Sequence, residues 1–284
     1  MANHQNPPPR KIREASWPVL LAFYVGHILL LAFPLFPVWQ RQVEKATGGL
    51  VNSILLSSVL AFLILVGGVA CAGGRLRLAD VGLERKLLLP GAVACTAIWL
   101  LPQAAGAAYQ LLVRGKLELI EFWSDNELAP MLGQLVAQLL GNALFEETGY
   151  RGLLLQQLKI KLGGRVRAAR ALTGAVIISS LLFALMHLPA VWLSGASTSE
   201  MLLKLGVTFV GGMAWALLFH RTRNLFFIIG VHALLNVPFS LYIPNPLAVI
   251  LTLVLAMVVA WRHQKQLFPV SEGFLGFRYD KCKY

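Results

Sequence analysis

The chain alternates long apolar runs with short polar connections. Eight of these runs measure about 20 residues each, which is the length that an α-helix needs to cross a hydrocarbon core of roughly 30 Å. Their apolar residues are continuous and do not alternate in period two, which excludes a membrane β-barrel. We therefore predict an all-α, polytopic membrane protein with about eight transmembrane helices, at residues 17–38, 50–72, 88–112, 129–156, 171–193, 201–219, 224–243 and 246–261.

Composition and charge agree with a membrane location. Hydrophobic residues make up 57% of the chain and charged residues only 13%, about half the ~25% typical of soluble domains. The net charge is +12, and most lysines and arginines lie in every second connection between the runs. By the positive-inside rule, this predicts a multi-pass integral membrane protein with both termini in the cytoplasm. The excess basic charge then serves topology and contact with anionic lipids, and no nucleic-acid partner is expected.

The chain is divided into four segments by this pattern. Residues 1–16 are predicted to form a basic cytoplasmic tail, 17–127 an N-terminal portion of three helices, 128–263 a catalytic core of five helices, and 264–284 a second cytoplasmic tail. The core segment contains the polar residues that are unusual in a lipid environment, so the functional site is expected there.

The most unusual of these residues are two adjacent acids inside an apolar run. Glu146 and Glu147 lie within residues 129–156, and Arg151 follows one helical turn later. The other acidic side chains lie in tails, in connections or at the ends of predicted helices. An ionisable group at the centre of a bilayer costs roughly 2.5–3.5 kcal/mol on insertion scales. Three such groups in so short a stretch therefore indicate a function.

Two further pairs of residues are spaced four apart, which places both members on one face of a helix. They are Phe183 with His187 on the fifth run and His232 with Asn236 on the seventh. A carboxylate and a neutral imidazole can hold one water between them, and the carboxylate can take its proton. A second imidazole with an amide can stabilise a developing oxyanion. These residue types together predict a hydrolytic site without a serine, cysteine or aspartate nucleophile.

Each feature also has a purely structural explanation. Glu147 and Arg151 alone would most often be a buried ion pair, and a single histidine on an apolar helix more often packs against another helix. Phe183 is interpreted as core packing behind His187. Three other protease chemistries are excluded, because the chain has no His-Glu-x-x-His motif, no aspartate within a predicted span and no Gly-x-Ser-Gly motif. Which of the two glutamates acts as the base stays open.

The three motifs, taken in order, resemble the CAAX protease and bacteriocin-processing enzyme family over residues 131–240. That family includes the type II CAAX prenyl endopeptidases, which remove the last three residues from prenylated proteins. Its bacterial members are also associated with bacteriocin maturation, self-immunity and protein sorting. The resemblance implies roles for six residues: Glu146 as the general base with His187 as its partner, His232 and Asn236 as the oxyanion site, and Glu147 with Arg151 as a pair that orders the site or holds the substrate.

Members of this family have been described both as metalloproteases and as metal-independent glutamate proteases. Two glutamates and two histidines could ligate zinc. The nearby cation of Arg151 and the amide of Asn236 suit an oxyanion site better, so we expect neither a metal nor another cofactor.

The sequence thus predicts a glutamate-type intramembrane endopeptidase with a conical polar active-site cavity within the bilayer. Its partners would be the bilayer and a membrane-anchored or prenylated peptide or protein, cut near the C-terminus. Three alternatives stay open: a non-catalytic immunity or binding protein of the same fold, a zinc-dependent form of the protease, and a proton-coupled transporter. Against the transporter, the chain lacks the paired repeats that are common in that class.

Overall fold

The computed structural model describes residues 12–119, 128–164, 166–237 and 239–262. Within these residues every regular element is helical. Two short 3₁₀ turns, Leu78–Val81 and Arg85–Leu87, precede the fourth helix. The helices are α1 (Trp17–Ala32), α2 (Pro37–Ala46), α3 (Ser53–Gly73), α4 (Leu88–Arg114), α5 (Leu128–Gly163), α6 (Ala168–Met186), α7 (Leu188–Leu193), α8 (Thr198–Thr222), α9 (Leu225–Asn236) and α10 (Asn245–Arg262).

The helices differ in whether they could cross a membrane alone. Among the described residues, five segments are long and apolar enough: Ser53–Gly73, Arg85–Arg114, Leu128–Gly163, Ala168–Leu193 and Thr198–Thr222. Helices α1 and α2 are bent by 67° and make a sixth candidate if they count as one broken span. Helix α9 and residues Pro246–Trp261 of α10 are apolar but shorter. The all-helical polytopic membrane fold is confirmed, and length and composition alone support five or six of the eight predicted spans.

Helix α5 lies at the centre of the packing. One hydrophobic cluster joins it to α1, α3 and α6, and a second joins it to α4, α6, α8, α9 and α10. The N-terminal helices therefore share a core with the helix that carries the two acids. The predicted tails lie outside the described residues except for residues 12–16. The division into an N-terminal portion and a catalytic core, and the cytoplasmic side of both termini, stay predictions.

A buried asparagine fixes where α9 begins. The side chain of Asn224 is fully buried, accepts from the backbone N–H of Phe227 at 3.1 Å and donates to the carbonyl oxygen of Leu87 at 2.8 Å. The first bond satisfies a free N–H at the start of the helix, a cap that contributes about 1 kcal/mol. The second ties this helix end to the turn before α4. Together they set the position from which α9 carries His232 into the core.

Two glycines of α5 allow other segments to approach it closely. A Cβ atom on Gly152 would overlap the carbonyl oxygen of Val81, and one on Gly149 would overlap the ring of Phe23 in α1. A side chain at either position would therefore displace a neighbouring element. This close packing holds α1 and the turn Leu78–Val81 against the middle of α5.

We expect Gly152→Ala to destabilise the fold by roughly 1–3 kcal/mol, because an added methyl group in a packed core forces backbone shifts. The measurement is the thermal unfolding midpoint of the purified protein in detergent. Gly211→Ala is the matched control, since a Cβ there meets no heavy atom within 4 Å and alanine stabilises a helix interior by up to about 1 kcal/mol. Equal midpoints for the two variants would contradict the close packing at Gly152.

Candidate active site

Helix α5 changes its winding on both sides of the acids. The α-helical turn Ala143–Glu147 lies between π-helical turns at Gln138–Asn142 and Thr148–Leu155. A π turn adds a residue to the helix, redirects the side chains that follow and occurs frequently at functional sites. Glu146 is 6% exposed and Glu147 is 0% exposed. Charged side chains this deeply buried need partners.

Glu147 and Arg151 form a buried ion pair. The Oε2 atom of Glu147 lies 3.3 Å from Nε of Arg151. The guanidinium lies 4.2 Å from the ring centre of Phe183 on α6, and its Nη2 donates to the carbonyl oxygen of Gly212 on α8 at 3.4 Å. The spacing of four residues therefore pairs these charges even across the π turn. The pair also links α5 to α6 and α8.

The other oxygen of Glu147 holds His232. Its Oε1 atom lies 2.7 Å from Nδ1 of His232, and an ionised carboxylate only accepts, so Nδ1 carries a proton. The imidazole stacks on the indole of Trp215 from α8, with ring centres 5.6 Å apart and an angle of 19° between the planes. His232 is thus fixed by a hydrogen bond on one side and an aromatic face on the other. Its Nε2 atom faces Glu146.

The end of α6 orients His187. Pro189 lacks an N–H and therefore cannot continue the hydrogen-bonding pattern of α6, and this helix ends at Met186. The backbone N–H of His187 bonds to Ala184, and its Nδ1 donates to the carbonyl oxygen of Phe183 at 2.8 Å. Because a carbonyl oxygen only accepts, the proton lies on Nδ1, and Nε2 of the neutral ring has a free lone pair.

Glu146 lies between these two imidazoles. Its Oε1 atom is 3.9 Å from Nε2 of His187, and its Oε2 atom is 3.8 Å from Nε2 of His232. These distances are too long for direct hydrogen bonds, and polar groups at such separations are commonly bridged by a water. The His187 side chain is 27% exposed, whereas those of Glu146 and His232 are each 8% exposed. Access to Glu146 therefore runs past His187.

Asn236 lies at the exposed edge of this arrangement. It is on α9, four residues after His232, and its Nδ2 donates to Oε1 of Gln138 at 2.9 Å. The same oxygen accepts from Nδ2 of Asn142 at 3.3 Å. The structure thus brings five of the six predicted site residues within 4 Å of one another in a chain of contacts. The sixth, Asn236, lies one turn along α9 and is bonded to an amide of α5. The catalytic roles of all six residues stay predictions.

Three residues around the site were not part of the sequence prediction. The hydroxyl of Tyr150 lies 3.0 Å from Nδ1 of His27 on α1, and both side chains are buried. The Tyr150 ring packs edge-on against Phe183, with ring centres 5.0 Å apart. The third is Trp215, which stacks on His232. It lies four residues before the end of the predicted run 201–219, where a tryptophan is typical of an interface anchor. His27 gave a weak signal, as an isolated polar residue in the first run.

The spacing of the acids and imidazoles differs from that of zinc ligands. Within the described ranges, no group of three or more His, Cys, Asp and Glu side chains is arranged to hold a metal ion. Ligands of a tetrahedral zinc, each about 2.0–2.1 Å from the metal, would lie roughly 3.3 Å apart. The two Glu146–imidazole separations, 3.9 Å and 3.8 Å, are longer.

The described residues enclose an apolar cavity of about 510 Å³. None of the six predicted site residues lines this cavity, so it is not the conical polar cavity that the sequence predicts. That polar cavity stays a prediction. Helices α4, α5 and α9 supply most of the wall of the apolar cavity. Its lining includes Ala92 and Cys95 on α4, Leu144 on α5, and Gly230 on α9.

Comparison with known proteins gives a match to a protein family. Residues 128–238 match the family model described as type II CAAX prenyl endopeptidase Rce1-like. The matched segment contains all three motifs and extends from the start of α5 past the end of α9. The predicted resemblance to the CAAX protease family is therefore confirmed. No curated protein and no solved structure matches the chain.

Proposed function

We propose that this chain, whose residues 128–238 belong to the Rce1-like family of CAAX proteases, hydrolyses a peptide bond near the C-terminus of a lipidated or membrane-anchored substrate. The observation that carries the proposal is the position of Glu146 between two imidazole Nε2 atoms, at 3.9 Å and 3.8 Å. A water placed there donates one hydrogen bond to Glu146 and one to His187.

Glu146 is the better base of the two acids. Both oxygens of Glu147 are committed, one to Nδ1 of His232 and one to Arg151, and its side chain is fully buried. The oxygens of Glu146 face the Nε2 atoms of His187 and His232. A general base must lie within hydrogen-bond reach of the proton it takes, directly or through one water, and Glu146 meets this condition.

The oxyanion role of His232 requires a proton on both of its ring nitrogens. The carboxyl groups of Glu147 and Glu146 lie 2.7 Å from its Nδ1 and 3.8 Å from its Nε2. Glu147 accepts from Nδ1 in this form. The Nε2–H of His232 is then free to donate to an oxyanion, together with the amide of Asn236.

The reaction follows from these positions. The water oxygen attacks the carbonyl carbon as Glu146 takes its proton, and the tetrahedral oxyanion is held by His232 and Asn236. Glu146 then gives the proton to the leaving nitrogen, and the C–N bond breaks to give a carboxylic acid and an amine. Each removed donor in such an oxyanion site costs roughly 10²–10³ in kcat.

The apolar cavity supports a lipidated substrate. Its volume of about 510 Å³ lies within the roughly 300–1,000 Å³ typical of small-molecule sites. It shares α5 and α9 with the site, and each buried methylene of a lipid chain contributes about 0.8 kcal/mol. We assign the apolar chain of the substrate to this cavity.

The test uses purified protein in liposomes and a peptide with a farnesylated cysteine four residues from its C-terminus, with the released tripeptide measured by mass spectrometry. The unlipidated peptide is the substrate control. We expect release from the farnesylated peptide, and kcat/KM at least about 100-fold lower for the unlipidated one, since a buried chain contributes several kcal/mol. Absence of any cleavage by folded protein would contradict the peptidase proposal.

The lipid assignment has its own matched pair of variants. Ala92→Trp fills the cavity, whereas Ala97→Trp places the same side chain on the same helix outside it. KM for the farnesylated peptide should rise at least about tenfold in the first variant and not in the second, because the lost burial is worth more than 1.4 kcal/mol. Equal KM values would contradict the assignment while leaving peptidase activity intact.

A further inference from the structure

Three carboxamides meet at the exposed edge of the site. The Oε1 atom of Gln138 accepts from Asn236 at 2.9 Å and from Asn142 at 3.3 Å. Gln138 and Asn142 are the first and last residues of the π turn that precedes the acids. This winding, together with the approach of α9, brings the three amides together although Asn236 lies 98 residues from Gln138.

The direction of these bonds determines which end of Asn236 faces Gln138. A carboxamide has an accepting oxygen on one side and a nitrogen with two N–H donors on the other. An oxygen acceptor at Gln138 selects the nitrogen of Asn236 and uses one of its hydrogens. The second hydrogen stays available for an oxyanion. The reversed rotamer would present Oδ1 to the reaction and repel a developing negative charge.

Asn142 holds Gln138 in the orientation that this requires. Its Nδ2 donates to the same oxygen, and it would repel the NH₂ group of a reversed Gln138. Asn236 itself is exposed, so packing restrains its side chain less than it does the buried Glu147 and His232. The hydrogen bond from α5 supplies the restraint that burial does not.

We propose that Gln138 is a positioning residue that sets the amide of Asn236 as an oxyanion donor, with Asn142 fixing the orientation of Gln138. The proposal rests on the peptidase function proposed above. Gln138 acts through Asn236 and has no role of its own in proton transfer. Its removal should lower kcat and leave KM nearly unchanged, because Asn236 interacts with the transition state more than with the bound substrate.

The test is a double-mutant cycle on cleavage of the farnesylated peptide. Gln138→Leu should lower kcat roughly tenfold, a part of the 10²–10³ that loss of an oxyanion donor costs. Gln138→Glu keeps the accepting oxygen and should stay within about threefold of the wild type. In an Asn236→Ala background, Gln138→Leu should change kcat by less than about twofold, since residues acting as one unit are non-additive.

Gln134→Leu is the matched control, an exposed glutamine one turn earlier on α5, and it should leave kcat unchanged. Equal unfolding midpoints for Gln138→Leu and the wild type exclude a loss of folded protein. A full tenfold loss that persists in the Asn236→Ala background would overturn the positioning role, as would an unchanged or higher kcat in Gln138→Leu. Lack of cleavage by the wild type would instead contradict the peptidase function, and with it the positioning role.

Discussion

Glu146→Gln is expected to lower kcat for the lipidated peptide by roughly 10²–10⁴-fold, the usual contribution of a general base. Glutamine has the same shape but cannot take the proton of the attacking water. KM and the unfolding midpoint should change little, because Glu146 has no direct hydrogen bond to either histidine at 3.9 Å and 3.8 Å. Steady-state kinetics in liposomes, paired with thermal unfolding, measure both effects.

Glu84→Gln is the control for the substitution itself. Glu84 is partly exposed and pairs with the exposed Lys86 at 3.0 Å, an ion pair near the surface of a kind that contributes about 0–1 kcal/mol. Its removal should affect neither rate nor stability. If Glu146→Gln retained the wild-type rate, the base would have to be sought elsewhere, and the proposed chemistry would be wrong.

Glu147→Gln is expected to have the largest effect on stability. It leaves the guanidinium of Arg151 buried at 2% exposure without its carboxylate partner, and arginine cannot lose its proton to escape the cost. Breaking a buried ion pair in this way destabilises by roughly 3–5 kcal/mol. The free energy of unfolding in detergent, from denaturant or thermal titration, measures the loss.

The double variant Glu147→Gln with Arg151→Met separates charge from shape. Methionine fills part of the arginine volume without a charge, and the oxygen of glutamine still accepts from Nδ1 of His232. Replacing both members of a buried pair is often close to neutral, so the double variant should be more stable than Glu147→Gln alone. A double variant that is less stable than the single one would show that Arg151 contributes by packing and not by its charge.

The location of the site was predictable because a polar group inside a membrane-spanning run has a high free-energy cost and is therefore rare. Four of the site residues stand among hydrophobic residues: Glu146, Arg151, His187 and His232. The free-energy cost of an ionisable group in a bilayer marks such residues in the sequence alone. The spacing of four residues within each motif could also be seen in the sequence. The contacts between helices could not, since the bond from Glu147 to His232 joins residues 85 positions apart.

The winding of α5 and the two histidine orientations also lay beyond sequence reasoning. The π turns at Gln138–Asn142 and Thr148–Leu155 depend on how neighbouring helices pack, and a helical period of 3.6 residues contains no sign of them. The proton on Nδ1 of His187 follows from a carbonyl that becomes available only because α6 ends there. The same winding brings Gln138 to Asn236.

Prolines in the first and seventh predicted spans indicate helix breaks that the predicted bounds do not include. Pro34 and Pro37 lie inside the first predicted run, and the chain breaks there into α1 and α2 with a bend of 67°. The seventh run was predicted to extend to residue 243, but α9 ends at Asn236. Pro238 follows in the sequence, and prolines disfavour helical backbone in the preceding residue. The predicted bounds followed the continuous apolar runs and passed over these prolines.

The first helix lies beside the candidate active site, which no motif indicated. His27 of α1 meets Tyr150, and Phe23 of α1 fills the space over Gly149. Tyr150 in turn packs on Phe183, which lies against both Arg151 and His187. The segment before the matched family region therefore supports the rings and charges that line the site.

The central claim is that Glu146, with His187 as its partner, activates water without a metal. The measurement that tests it is the rate of tripeptide release by the wild type after exhaustive treatment with a zinc chelator, alongside the metal content of the purified protein. The account predicts a rate within about twofold of the untreated enzyme, since no step depends on a ligated metal. A rate that is lost on chelation and restored by zinc would contradict it, and would make Glu146, His187 and His232 metal ligands.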